Sequence, residues 1–235
     1  MKNFPETEQP ILTSEFAEVY DIVFDFDGTL FSHDSFFEFM KFVLRKSKIR
    51  TLTAYLLAPL LVCLVIFRYR LKYIGSMLLW IGTVGLTDRQ IDRYADEFVS
   101  RLIDGHHGHF YRDGLTLLRD AISSERRVMI LTASGRFLIK KILINEGLHV
   151  DLGASKVSRR LGGLICDFHC YGENKVRFLI ENGIEQKFDE FYSDSSADLP
   201  LFRLAKRSFI INGTARTKAK IERALKQSVC LINWN

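Results

Sequence analysis

The chain has 235 residues, 47% hydrophobic and 26% charged, which excludes a wholly disordered polypeptide and allows one sizeable α/β core with an inserted sub-domain. The net charge of +5 favours an anionic partner, but no Lys/Arg-rich block resembles a nucleic-acid arm, so phosphorylated substrates or anionic lipid fit better than nucleic acid. The four cysteines, at 63, 166, 170 and 230, lack the spacing of a disulfide framework and point to a reduced, cytosolic setting, and MKNFPETEQP lacks the apolar run of a cleavable signal peptide.

In chain order, residues 1–19 read as a lead-in, and YDIVFDF (20–26) is an apolar run ending in acids and then DGT, the pattern of a buried strand entering a turn. Residues 33–110 are mostly helical in pattern and too long for a loop; they read as a cap inserted into a core formed by 1–32 and 111–235. Within the cap, an apolar segment spans 51–87: TLTAYLLAPLLVCLVIF (51–67) and YIGSMLLWIGTVGLT (73–87) carry no charge. As a helix the first run reaches about 26 Å, short of a hydrocarbon core of ~30 Å. Arg45, Lys46, Lys48 and Arg50 precede it and Arg68, Arg70 and Lys72 follow it, a pattern that holds both ends on the cytoplasmic side of a membrane. Pro59 invites a break in its middle, so a dipping segment or a surface-lying helix pair is expected, with Trp80 suited to the interface. A buried cap helix in a protein of the cytoplasm is the alternative.

RRVMILTASG (126–135) reads as a second strand, followed by a helical RFLIKKILINEG stopping at Gly147. Val157 to Cys170, with Gly162-Gly163 at its centre, reads as a β-hairpin beside the sheet. Strands over 188–194 and 207–212 alternate with helices at about 174–182, 197–206 and 215–227. That alternation predicts an α/β fold with a doubly wound parallel sheet, whose ligands gather at the carboxyl ends of the strands.

Polar residues with useful chemistry fall at those ends. Asp25 and Asp27 alternate with Phe26 and leave the first strand on the same side. One can attack a phosphoryl group while the other, Asp27, protonates the leaving alkoxide and then deprotonates water. A Mg²⁺ held by Asp25, Asp27 and Asp194 would neutralise phosphate charge. Gly28 permits close backbone approach, and Thr132, with the N–H groups of Ala133 and Ser134, can hold phosphate oxygens. Lys175, opening the helix in GENKVRFL, can offset charge on nucleophile and phosphate. Asp198 can orient a water on the metal or, more simply, cap a helix. Cys166, His169 and Cys170 lack an apparent fourth zinc ligand, and His106, His107 and His109 read as a linker from cap to core rather than a metal site. Arg136, Arg159 and Arg160 read as ordinary surface arginines.

DFDGTL, the strand end at Thr132, Lys175 and DSSAD together resemble the four motifs of the haloacid dehalogenase superfamily, over the whole chain. In that family an Asp two residues after the nucleophile marks phosphatases and phosphomutases, and an insertion after the first motif resembles the helical cap of the phosphoserine phosphatase branch. Within the branch, APLL in a basic-flanked apolar run, MLLWIGTVGLT, LTASG, a Cys before GENK and YSDSSADLPLF are similar to the bacterial phosphatidylglycerophosphatase C family. The sequence departs from that pattern at Gly135, where many relatives have Pro, and in its longer lead-in and tail. The resemblance implies hydrolysis of phosphatidylglycerophosphate to phosphatidylglycerol at the cytoplasmic face of a bacterial inner membrane. A phosphatase for a small soluble metabolite is the alternative.

Overall fold

The structure is a computed structural model and describes residues 19–66, 71–102, 108–184 and 187–235. Strand β1 (Ile22–Phe24) is apolar at every position and buried at every position, the mark of a strand covered on both faces. It lies at the centre of a seven-stranded sheet with β2 (Val128–Gly135), β3 (Asp151–Arg160), β4 (Gly163–Phe168), β5 (Phe188–Ser193), β6 (Ala205–Ile211) and β7 (Cys230–Ile232), in the order β4-β3-β2-β1-β5-β6-β7. Every neighbouring pair is parallel except β3 and β4, so the fold is the doubly wound α/β arrangement that the alternation predicts. The order reverses on either side of β1, and the carboxyl ends of β1, β2 and β5 therefore open on one crevice.

The hairpin differs from its expected place. Its first strand begins at Asp151, pairs in parallel with β2, and only then turns back on β4, so the hairpin extends the sheet instead of lying beside it. The expected helix over 197–206 is a single 3₁₀ turn (Ser196–Asp198) and four helical residues, because β6 already begins at Ala205.

Between β1 and β2 stand α1 (Ser35–Arg45), α2 (Lys48–Ile66), α3 (Leu71–Thr83), α4 (Asp88–Leu102) and α5 (Arg112–Ser123). Helices α1 and α4 are amphipathic and send Phe39, Phe42, Ile91 and Phe98 into the same apolar core as Phe24 and Ile130 of the sheet. The chain enters and leaves this insertion side by side, through a bridge between Phe31 and Phe110 and a hydrogen bond from Ser32 N–H to the His109 carbonyl at 2.9 Å. His109 belongs to that crossing, while His106 and His107 lie outside the described residues.

Helix α2 runs unbroken through Pro59, where a break is expected; Tyr55 and Pro59 are both exposed, so the carbonyl deprived of a partner is open to water. No helix among the described residues is long and apolar enough to cross a membrane. The second apolar run has a different explanation: α3 packs along β4. Ser76 Oγ accepts from Cys166 N–H (2.8 Å), Thr83 Oγ1 accepts from Leu164 N–H (2.8 Å), and Trp80 donates from Nε1 to the Arg160 carbonyl (3.1 Å). Trp80 thus lies against the hairpin, not at an interface, and Arg159 is bound to Asp88 of α4 through Nε at 2.9 Å.

Among the described residues four α-helices follow β2: α6 (Arg136–Asn145), α7 (Glu173–Glu181), the short α8 (Leu199–Phe202) and α9 (Ala215–Leu225). On α7 the buried stripe is Lys175, Phe178 and Leu179, so helical spacing carries a lysine into the interior along with two apolar neighbours.

Candidate active site

The crevice at the strand ends holds a cavity of about 250 Å³ lined by Asp25 and Asp27, by Ala133 and Ser134, by Lys175, and by Asp194 and Asp198, among others. Asp25 is fixed by its own N–H, which donates to the Tyr192 carbonyl at 2.9 Å. One of its oxygens accepts from Lys175 Nζ at 2.8 Å. The same ammonium donates to Asp198 at 2.9 Å, and Ser193 Oγ donates to that Asp198 oxygen at 2.8 Å. Lys175 is 2% exposed. Asp198 therefore orients the lysine, and its carboxylate does not cap α8.

Asp194 follows β5 and is locked to the β1 turn: its N–H donates to Thr29 Oγ1 at 2.9 Å, and Thr29 returns a bond to Oδ1 at 3.3 Å. Gly28, at φ +77°, lies directly beneath it; a Cβ there would sit 2.5 Å from Asp194 Oδ2. Glycine is demanded twice, by the left-handed backbone and by the approach of the carboxylate.

Asp27 points into a different cradle. Its Oδ1 accepts from Ser35 N–H at 2.8 Å, and Oδ2 accepts from Ser134 Oγ at 2.6 Å and Thr132 Oγ1 at 3.2 Å. Thr132 is fully buried, and its hydroxyl also accepts from Ser134 N–H at 3.1 Å. The Ser134 amide, expected to face phosphate, is turned inward here, and α6 starts only at Arg136, after Gly135. Arg136 itself donates to the Leu152 carbonyl.

Electrostatics follow from burial. Removal from water pushes Asp25 well above the usual carboxylate range; Lys175 opposes this, and the charges of Asp198 and Asp194 add to it. Asp194 rises to about 6, chiefly through burial. Asp27 also rises through burial, against the hydrogen bonds of Ser134 and Ser35. Burial would lower Lys175, but the carboxylates of Asp198 and Asp25 outweigh it and hold the ammonium charged. Three carboxylates thus surround a single ammonium.

The site also contains residues that motif reading does not single out: Thr29, Ser35 and Ser193 as hydrogen-bonding partners, and Asp34, Phe36, His169 and Tyr171 in the lining. The HDSF entry into α1 and the CYG preceding ENK are their only sequence signals. Cys170 is buried in the apolar core beside Phe178.

Two carboxylates at the end of the central strand, a buried ammonium on α7 and an acid pair after β5 thus meet in one crevice of a doubly wound sheet. The model of the haloacid dehalogenase-like hydrolases matches residues 22–203, and the chain belongs to that family. Among solved structures, it is similar to a Bordetella pertussis Tohama I protein of unknown function at 19% identity and TM-score 0.71, over 90% of this chain and 98% of that one. It is also similar to phosphoserine phosphatase captured as a phospho-aspartyl intermediate analogue (12%, TM-score 0.55, 91% and 93%) and to cytosolic 5′-nucleotidase IIIB bound to cytidine (12%, TM-score 0.61, 92% and 80%). At these identities the likeness is one of fold.

Proposed function

We propose that the chain is a phosphatase that takes a phosphoryl group from a monoester onto Asp25 and passes it to water. The observation that carries this reading is Asp25 at the end of β1, one oxygen held by buried Lys175, with a second acid two residues on in its own hydroxyl cradle. An Asp25 oxygen attacks phosphorus while the ester P–O bond breaks, and the leaving alkoxide takes the proton of Asp27, whose pKa burial raises against the hydrogen bonds of Ser134 and Ser35. Asp27, now a carboxylate, removes a proton from water as the water oxygen attacks phosphorus. The bond to Asp25 then breaks, releasing phosphate.

The donor set fits a hard divalent cation. Asp25, Asp194 and Asp198 exceed Lys175 by two negative charges, and all their donors are oxygens. Asp25 and Asp194, whose carboxylates line the same cavity, would hold Mg²⁺. Asp27, expected as a further ligand, accepts from Ser35 N–H and from the Ser134 and Thr132 hydroxyls, and those hydroxyls must rotate away for Oδ2 to carry and release the proton of the reaction. When bound, Mg²⁺ would neutralise phosphoryl charge.

Linkage supplies a test. The Asp194 pKa is raised on folding from 3.8 to about 6, so its contribution to stability is full below about pH 4 and is lost as pH rises through 6. Added Mg²⁺ is expected to raise Tm more at about pH 7.5 than at about pH 5. Asp194→Asn should remove most of that rise; an equal rise in both proteins would place the cation elsewhere. Gly28→Ala should cost about 1 kcal/mol in denaturant stability but on the order of 10²-fold in kcat, because Asp194 must move aside. Comparable stability with full activity would remove Gly28 from the site.

For the substrate we infer a phospholipid monophosphate, phosphatidylglycerophosphate first, met at the cytoplasmic face of a bacterial membrane. Helix α2 supports it: Ile49, Leu52, Tyr55 and Leu56 are 61–79% exposed, next to Lys48 and Arg50. An apolar face with a basic fringe suits an anionic bilayer surface, where each well-placed cation contributes roughly 1 kcal/mol. A phosphoserine-type metabolite is the second reading, favoured by the fold likeness. Against it, Lys175 is, among the described residues, the one Lys or Arg of the cavity lining, and Asp25 and Asp198 already hold it, so among those residues no further Lys or Arg of the lining is left for an amino-acid carboxylate. Mg²⁺-dependent phosphate release from phosphatidylglycerophosphate in mixed micelles, beside phosphatidic acid and phosphoserine, decides between them. Preference for phosphoserine would overturn the lipid reading and keep the chemistry. Leu52→Asp with Leu56→Asp is expected to release the protein from anionic vesicles in a flotation assay; unaltered flotation would remove α2 as the contact.

A further inference from the structure

The cavity lining includes four residues that the phosphoryl chemistry does not use: His169 and Tyr171, just before α7, and Asp34 and Phe36, at the start of α1. The rings of His169 and Tyr171 stack at 5.4 Å with 7° between their planes. Their backbone is held from behind. Cys170, between them, is fully buried and donates its N–H to Ser155 Oγ at 2.9 Å, and Ser155 donates to the Ala133 carbonyl at 2.6 Å. The His169 carbonyl accepts from Tyr171 N–H and from Asn174 Nδ2, both at 2.9 Å. Gly172, at φ +56°, then turns the chain into α7, so the stack is tied to the helix bearing Lys175 and to the strand end bearing Ala133.

The wall offers two stacked rings, a phenol hydroxyl, a further aromatic ring and one carboxylate. Burial raises the Tyr171 pKa, and the charges of Asp198 and Asp25 add to it against Lys175, so the phenol stays a hydrogen-bond donor close to the phosphoryl site. Phe36 packs on the main apolar core, which fixes its ring, and Asp34 caps α1 through Phe37 N–H at 2.8 Å, which fixes its carboxylate. Aromatic faces take up C–H groups, while a phenol and a carboxylate pair with hydroxyls.

We propose that the stacked His169–Tyr171 pair is the specificity-determining wall that binds the leaving alcohol, and that with Phe36 and Asp34 of the same cavity lining it selects hydroxyl-bearing alkyl groups of glycerol type. The proposal rests on the phosphatase reading above and is independent of whether a lipid is attached to the glycerol.

Steady-state kinetics of the parent, Tyr171→Ala, Tyr171→Phe and His169→Ala on phosphatidylglycerophosphate in mixed micelles, sn-glycerol 3-phosphate and methyl phosphate test it. Tyr171→Ala and His169→Ala are expected to lower kcat/KM on the glycerol esters, through KM, about tenfold more than on methyl phosphate, which lacks the hydroxylated group. Tyr171→Phe should keep the stack and lose only the hydroxyl's share. Equal losses on all three esters, or no loss, would overturn the proposal, as would a parent enzyme that does not distinguish glycerol 3-phosphate from methyl phosphate. Turnover of glycerol 3-phosphate without phosphatidylglycerophosphate, with the tenfold difference intact, would defeat the lipid reading and leave the wall's role standing.

Discussion

Asp25→Asn is expected to lower phosphate release by at least about 10⁴-fold while leaving the protein no less stable than its parent. The two halves have one cause. Asp25 is a buried carboxylate whose pKa is driven upward by lost hydration and by Asp198 and Asp194, so the fold is strained by its charge even with Lys175 bonded to it. An amide of the same shape removes that charge, leaves Lys175 paired with Asp198, and cannot form the acyl phosphate. Turnover with Mg²⁺ and thermal melting without it measure the halves separately. Retention of more than about 1% of activity would exclude Asp25 as the nucleophile; a large drop in Tm would show that Lys175 depends on it more than on Asp198.

Lys175→Met should have the largest effect on stability, about 3–5 kcal/mol, with activity lost as well. Methionine fills most of the volume on the α7 stripe beside Phe178, so packing is little changed. What is lost is the ammonium that Asp25 and Asp198 share at 2.8 and 2.9 Å, and two carboxylates remain buried without a cation. They can recover by taking up protons, so urea unfolding should show a smaller loss at about pH 5 than at about pH 8. Adding Asp198→Asn to Lys175→Met should restore part of the stability. Equal instability of the single and double variants would point to packing instead of charge.

That Asp25, Asp194 and Asp198 would gather in one crevice was legible because strand ends and carboxylates announce themselves locally. Asp25 directly follows the apolar β1, Asp194 follows the end of β5 and Asp198 lies four residues further on, and the doubly wound sheet follows from such strand runs alternating with helices. Lys175 was legible only in company, since nothing local separates a buried lysine from a solvated one until Phe178 and Leu179 show which stripe it shares. Side-chain direction was not legible: Asp27 and Asp25 leave the same strand, yet one meets Ser134 and the other Lys175, because the turn at Gly28 comes between strand and insertion. The wall of His169 and Tyr171 was hidden for a similar reason, as stacking across a buried Cys170 depends on Ser155, fifteen residues away. The apolar run 73–87 illustrates the ambiguity of composition: lipid and a sheet edge are equally dry, and α3 takes the sheet edge.

The contact between α3 and β4 has a consequence for how the protein could have been assembled. β4 is the last strand on its side of the sheet, and an unpaired terminal strand recruits other chains. Here its outward amides at Leu164 and Cys166 are already occupied by the hydroxyls of Thr83 and Ser76, and Trp80 closes over Gly163. The inserted helices thus do for the sheet what an eighth strand would do, without offering a ninth place. Removing them would uncover the Leu164 and Cys166 amides of β4 and leave that edge open to pairing with another chain.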